Sequence, residues 1–425
     1  MIRSGLRLGF LWFCLIPGLK AFASQSDVLV GSLTLSRALE LALSHSPDLA
    51  AARHDVVIRA GLVLQARLPG NPELGFEAEN LEATGALRDA DRELTTRVSQ
   101  TVDLGIFSRA SVAARELESA RLELQGVQSQ VRTRVRQQFV SMQAAQERLG
   151  LSRELVQLAG TALGLAVEKV RAGKAPPTDS LQAFVAFSLA RIDSGRAEEV
   201  LSQVRRALAS ACGLAEASFD SVQGRLGPVI PVPEWKTIES GISGTPDWKR
   251  SALEGKVRDA ELRAEKTARI PPLTLEAGFR HVAGKEGHTL VAGVSLPLPL
   301  WNWNQGAIRS ARSRKAKSEE EGKAQRIDIR ERLAGLHGRA ASSYREASLL
   351  ESQVLPAAGA TFEGAREAYR VGKFGSLDVL NAQRSLFEVR ARHLDALTEY
   401  HLAMSGLAEM LGNPVGASDP GPDTK

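Results

Sequence analysis

The chain is written twice. Pro47-Asp48 returns as Pro246-Asp247, Pro72-Glu73-Leu74 as Pro271-Pro272-Leu273, Gly173-Lys174 as Gly372-Lys373 and Gly213 as Gly412, each pair 199 residues apart. Four landmarks at one spacing imply an internal duplication, so the chain must fold as two copies of one supersecondary plan. The copies run over 24–214 and 233–412, with a joint at 215–232 where glycine and proline collect ("GRLGPVIPVP"). The tail 413–425, "NPVGASDPGPDTK", reads as disordered.

Each copy opens with a short helix, 34–44 or 234–242, and then Ser46-Pro47-Asp48 or Thr245-Pro246-Asp247. The hydroxyl can cap free N–H groups, proline fits the first helical position, and aspartate suits the positive end of the helix dipole. A longer helix should therefore start at each site. It should end near Leu68 or Ile270, where prolines introduce strands.

Four segments then alternate, at about 72–80, 93–104, 272–281 and 289–300. Leu74, Phe76 and Ala78 share one side, against Glu73, Glu77 and Glu79. Leu94, Val98, Val102 and Leu104 oppose Glu93, Arg97, Ser99 and Asp103. The second copy repeats the pattern, with Leu273, Leu275, Ala277 and Phe279, then Leu290 through Leu300, opposite Thr274, Glu276, Arg280, Thr289 and Ser295. Period-two alternation predicts one hairpin per copy, each strand long enough to cross a membrane. Alternation alone serves equally for two soluble hairpins lying on a core. If the strands stand in lipid, four cannot close a barrel and open edges are not tolerated there. Two copies would then give eight strands and three would give twelve, the latter with a wider lumen lined by the charged side chains.

After the strands, 106–172 holds no proline and carries apolar residues at helical spacing, among them Leu117, Leu124, Val131, Val135 and Phe139. A straight helix of that length reaches roughly 100 Å. The second copy repeats it over 307–371, where Pro356 predicts a kink. Both helices stop at a glycine, the residue that tolerates a left-handed terminator, and return helices follow at about 178–213 and 376–411. Leu380, Phe387 and Leu394 recur every seven residues, the seam of a coiled coil. Gly173 and Gly372 thus mark the far tips of two helical hairpins whose other ends carry the strands.

The first 23 residues read as a secretory signal: Arg3 and Arg7, an apolar run from Leu8 to Ile16, and Ala21-Phe22-Ala23 before Ser24. Cleavage there leaves one cysteine, Cys212, hence no internal disulfide. No later segment is apolar for long enough to span a membrane as a helix. The net charge of +5 is interspersed with acids along helices, which argues for solvated faces and against a nucleic-acid partner. None of the seven histidines pairs at the i, i+4 spacing of a helical zinc site, and no nucleophile triad or phosphate loop is present. Glu319-Glu320-Glu321 fits a solvated helix face. No enzyme activity, metal site or cofactor is expected.

The segments "NPELGFEAEN" (71–80), "GVSLPLPLWNWNQGAI" (293–308) and "YRVGKFGSLDVLNAQRSL" (369–386) give the chain a resemblance to the TolC-like outer-membrane efflux family over 33–412. The first two resemble its cobalt–zinc–cadmium subgroup. The resemblance implies a mainly α chain with a membrane β-hairpin pair, assembled as a homotrimer. It implies a 12-stranded β-barrel in outer-membrane lipid, continued by a long α-helical barrel across the periplasm. It also implies two partners, a periplasmic adaptor (membrane fusion) protein and an inner-membrane resistance-nodulation-division pump. The expected function is passive conduction of heavy-metal cations within a tripartite efflux system. The alternatives are multidrug efflux or type I protein secretion through the same channel, or a soluble periplasmic coiled-coil scaffold. By the same resemblance Gly173, Asp179, Tyr369, Gly372 and Asp378 form the periplasmic tip and gate. Asp378 can equally serve as a helix cap there. Trp303 stands where the family has a basic residue, and Trp301 and Trp303 suit a barrel rim. Phe374 replaces the basic residue that pairs near the gate in some relatives, so a salt-bridged lock is not expected.

Overall fold

The computed structural model describes residues 31–80, 92–283 and 287–412. The expected signal, the tail 413–425 and most of the first hairpin loop lie outside the described residues. The first half runs β1 (Ser32–Leu33), α1 (Leu35–His45), α2 (Pro47–Arg67), β2 (Glu73–Glu79), β3 (Glu93–Val102), α3 (Ile106–Arg171) and α4 (Pro177–Ala211). The short β4 (Ser221–Val222) stands in the connection. The second half runs α5 (Trp235–Ser240), α6 (Pro246–Thr267), β5 (Leu273–Val282), β6 (His288–Ser295), α7 (Gln305–Leu349), α8 (Leu355–Arg370) and α9 (Ser376–Leu411). Ser46 and Thr245 cap α2 and α6, their hydroxyls accepting from the Leu49 and Trp248 N–H groups at 3.3 Å each.

The hairpins do not stand apart. They join through β3 and β5 into one antiparallel sheet of order β2-β3-β5-β6. Ala283 N–H donates to the Arg92 carbonyl at 2.8 Å, which makes that register pair a hydrogen-bonded one. Backbone polar groups alternate sides along a strand. Odd-numbered residues of β5 therefore bond to β3, and even-numbered ones bond to the odd-numbered residues of β6. This explains why the last strand is shorter than the expected 289–300. Pro297 and Pro299 fall on the side facing β5 and have no N–H to give it, so pairing ends at Ser295.

Two apolar clusters hold the helices beneath the sheet. In one, Leu33 and Val222 from the small parallel β1–β4 pair meet Leu41 of α1, Val135, Phe139 and Met142 of α3, and Leu208 of α4. In the other, Ile238, Ile329, Leu333, Met404 and Leu407 join α5, α7 and α9. The connection is tied down by side chains that sequence reasoning assigned no such task. Tyr400 donates to the Ile230 carbonyl (2.8 Å) and accepts from its N–H (3.2 Å). His401 and His337 reach the Gly227 and Pro233 carbonyls at 2.9 and 3.0 Å. Burial pulls the His401 imidazole below its usual range. Cys212 is fully buried, and desolvation pushes its thiol up to about 11, so it is an inert core residue.

At Pro356 the interruption takes the form of a π turn, Leu350–Val354, closed by the Leu355 N–H donating to the Leu350 carbonyl. Proline cannot donate, and its ring crowds the carbonyl four residues back, so widening the ladder by one residue relieves the clash. α3 has no proline and runs through the same region unbroken.

Candidate functional site

The sheet has two unlike faces. Register brings Leu74, Phe76, Leu94, Val98, Leu275, Phe279, Leu290 and Val294 to one side, and each is exposed, Phe76 to 69% and Val294 to 69%. After β6 the chain turns at Pro299, where the Leu300 N–H donates to the Leu298 carbonyl at 2.9 Å, and it adds exposed Leu296, Leu298 and Leu300, then Trp301 at 85% and Trp303 at 48% exposure. A bare apolar band of this size demands a cover other than water, and tryptophan at its end fits a lipid–water boundary.

The other face is charged and tightly ordered. Arg97 pairs with Glu77 and lies 3.5 Å from Glu276. Arg280 contacts Glu93 at 2.7 Å and Glu79 at 3.7 Å, and its Nε donates to the Thr95 hydroxyl at 3.1 Å. Gly75 and Gly278 flank Arg97 in register and Gly293 sits opposite Glu276. A Cβ at Gly278 would lie 2.2 Å from the Thr96 carbonyl oxygen, and one at Gly293 would lie 2.4 Å from Glu276 Oε1. The glycines thus make room for the ion-pair lattice. With Glu73 included, this face carries five carboxylates against two guanidinium groups and is net negative.

The hairpin ends lie at the other extreme of the helices. Gly173 and Gly372 adopt φ of +69° and +76°. The Lys174 N–H donates to the Lys169 carbonyl (2.9 Å) and the Gly173 N–H to that of Val170 (3.0 Å). Lys373 and Gly372 repeat the pattern on Ala368 (2.8 Å) and Tyr369 (3.2 Å). These are paired Schellman caps, which need a residue tolerant of the left-handed region. The two tips meet: Lys169 Nζ sits 3.3 Å from the centroid of the Tyr369 ring. Nothing in the linear sequence linked Lys169 to Tyr369, since the contact crosses the two repeats. Asp378 and Asp179 occupy equivalent places in the first turns of α9 and α4. Asp378 Oδ2 accepts from the Gly375 N–H at 3.0 Å, which realises the cap reading. Asp179 cannot copy it, because Pro176 stands at the capping position and has no N–H. Among the described residues Asp179 has no side-chain partner.

The motif "NWNQG" is a structural turn. Asn304 takes φ of +59° and its amide donates to the Glu265 carbonyl and carboxylate at 2.9 and 2.8 Å, pinning the start of α7 to α6. Gln305 clasps the same turn through the Trp303 N–H and the Trp301 carbonyl.

The profile of the family described as "Outer membrane efflux protein" matches residues 38–214 and again 238–413, once for each repeat. The chain belongs to the outer membrane efflux protein family. It is 31% identical to the cobalt-zinc-cadmium resistance protein CzcC of Cupriavidus metallidurans, over 90% of each chain. It is 25% identical to the nickel-cobalt-cadmium resistance protein NccC of Alcaligenes xylosoxydans xylosoxydans, over 66% of this chain and 64% of that one. Among solved structures, the transmembrane channel CusC superposes with a TM-score of 0.75 at 18% identity, covering 89% of this chain and 92% of CusC. This membership puts the protein in the outer membrane with its helices in the periplasm, and the family is one of transport components rather than enzymes.

Proposed function

We propose that three copies close into a ring and form the outer-membrane channel of a tripartite efflux system, conducting heavy-metal cations passively. Each copy would supply four strands to a 12-stranded barrel and two helical hairpins to the tunnel below it. The halves 24–214 and 233–412 act as two structural repeats joined by 215–232. The observation that carries this reading is the open four-stranded sheet, apolar on one side and charged on the other. Its edges and its apolar face are both unsatisfied in a single chain, and lipid tolerates only a closed sheet. The net-negative opposite face would line the lumen, where it favours cations. The cargo reading leans on the metal-resistance relatives, CzcC above all.

At the tips, Gly173 and Gly372 shape the turns, and Asp179 projects toward an adaptor or the lumen. Tyr369 closes on Lys169, and Asp378 secures α9. A periplasmic adaptor would dock on 171–179 and 370–378 and link the channel to an inner-membrane pump, which supplies the driving energy. Trp301 and Trp303 would anchor the barrel rim. Deleting the gene and measuring growth on Co, Zn, Cd, Ni, Cu and Ag salts beside common drugs tests the reading. Metal sensitivity reversed by the intact gene is expected and names the ion. Sensitivity to drugs alone would keep the channel and overturn the cargo.

A further inference from the structure

We propose that His281 and His288 form a two-imidazole site for a divalent transition cation, at the end of the sheet farthest from the helices. The inference needs only the pairing of β5 with β6 and stands apart from the ring reading above.

β5 starts at Leu273, just after α6, and runs away from the helices to Val282, and β6 returns from His288. The register sets His281 directly opposite His288. Even-numbered residues of β5 carry its bonds to β6, so this odd-numbered position belongs to the close, non-hydrogen-bonded class, with Cα atoms about 4.5 Å apart. The backbone thus holds the two imidazoles side by side. Their ring centroids lie 5.3 Å apart with the planes inclined at 49°. A metal on an imidazole nitrogen sits about 2.0–2.1 Å from that atom, and so about 3.2 Å from the ring centre. Two rings on one tetrahedral ion then have centres about 5 Å apart. The observed spacing already meets this, so chelation asks the rings to turn and not to travel.

Neither ring is engaged elsewhere. Both residues are exposed, and among the described residues neither imidazole makes a hydrogen bond. His337 and His401, by contrast, are spent on the Pro233 and Gly227 carbonyls. The same side of the sheet offers Leu94 opposite His281 on β3, with Phe279 and Leu290 next along the two strands. Glu79, Glu93 and Arg280 lie on the opposite face, so an ion held by the pair is remote from the charged lattice. Among the described residues no group of three or more His, Cys, Asp or Glu could hold a metal ion, so water completes the coordination and the site is open. Two imidazoles without a carboxylate suit copper, nickel, zinc and cobalt, whereas calcium and magnesium require oxygen ligands. An ion here bridges two strands, and its binding energy adds to the stability of the hairpin. The two histidines stand seven residues apart across a turn, a spacing outside the helical zinc pattern, and only the strand register brings them together.

The test is electron paramagnetic resonance of copper(II), added below stoichiometry to the purified, chelator-stripped full chain. The wild type should show splitting from two imidazole nitrogens, unchanged by excess calcium or magnesium. H281Q and H288Q should each abolish the two-nitrogen signal. H54Q, which removes a different exposed histidine on α2, should keep it. H288Q/T289H preserves the number of histidines but moves one imidazole to the other face, and should lose the signal too. Zinc should also raise the temperature at which the folded band of the wild type disappears on a semi-native gel, and leave that of H281Q and H288Q unmoved. A wild type without the two-nitrogen signal overturns the proposal. So does its survival in H281Q, H288Q or H288Q/T289H, its loss in H54Q, or an equal zinc shift in wild type and variants.

Discussion

Replacing Gly278 by alanine should unseat the sheet at its most crowded point. The new Cβ would lie 2.2 Å from the Thr96 carbonyl oxygen and 2.8 Å from Arg97 Cα, both backbone atoms of the adjacent strand. Carbon atoms keep roughly 3.5–4.0 Å from one another, so β3 and β5 must part by about 1 Å locally. Strands pair at about 4.8 Å, and a shift of that size weakens the two nearest ladder bonds, each worth about 0.5–1.5 kcal/mol net. With overpacking strain of about 1–3 kcal/mol the expected loss is about 2–5 kcal/mol per chain. Gly293→Ala makes a useful contrast, because its three nearest contacts are with the Glu276 side chain, which can swing away. That swing sacrifices the half-buried Arg97–Glu276 pair, which at 3.5 Å is worth about 1 kcal/mol or less. Gly70→Ala meets nothing within 4 Å and should change stability by no more than about 0.5 kcal/mol. The assay is the temperature at which the folded band disappears on a semi-native gel. The order Gly278→Ala well below Gly293→Ala, and that below Gly70→Ala, is expected. Gly278→Ala melting with Gly70→Ala, or above Gly293→Ala, would refute the steric reasoning.

At the tips, Lys169→Ala and Tyr369→Ala should each raise resting conductance in planar bilayers, and together no more than singly. An exposed cation–π contact is worth about 0.5–1 kcal/mol, so three in a ring shift the open fraction by roughly 10- to 150-fold if they act together. Additive effects would mean the two residues do not act on each other. Asp378→Ala should fray the first turn of α9, costing about 1 kcal/mol, and raise ion leakage; Asp179→Ala, which loses no capping hydrogen bond, should cost only the dipole contribution of about a few tenths of a kcal/mol. Hydrogen exchange at 375–380 and bilayer conductance check this pair, and unchanged leakage in Asp378→Ala defeats the gate role. His401 is held neutral by burial, so its folded pKa lies below the unfolded value of 6.5. The unfolded chain then binds the extra proton, and stability should fall as pH drops below about 6.5. His401→Gln should flatten that part of the thermal-melt profile, and an unaltered profile would discount the residue.

Much of this protein is legible without its structure. The 199-residue repeat, the hydroxyl–Pro–Asp helix starts and the glycine stops are local signals, each set by the dihedral or hydrogen-bonding needs of one or two residues. The alternation of the strands is equally local, which is why the two faces of the sheet could be named residue by residue. The parity of a strand and the cap of a helix depend on the chain next to them and on little else.

What lay beyond the sequence was every pairing that crosses the repeats. The union of β3 with β5, the lattice of Arg97 and Arg280, the meeting of Lys169 with Tyr369 and the clasp of Tyr400 on Ile230 join residues far apart in the chain. The early end of β6 belongs here too, because prolines halt a strand only on the side they face, and that side is fixed by which neighbour lies there. Local chemistry thus set the parts, while tertiary packing chose their partners, because burying an apolar face or satisfying a carbonyl requires a specific surface brought from elsewhere.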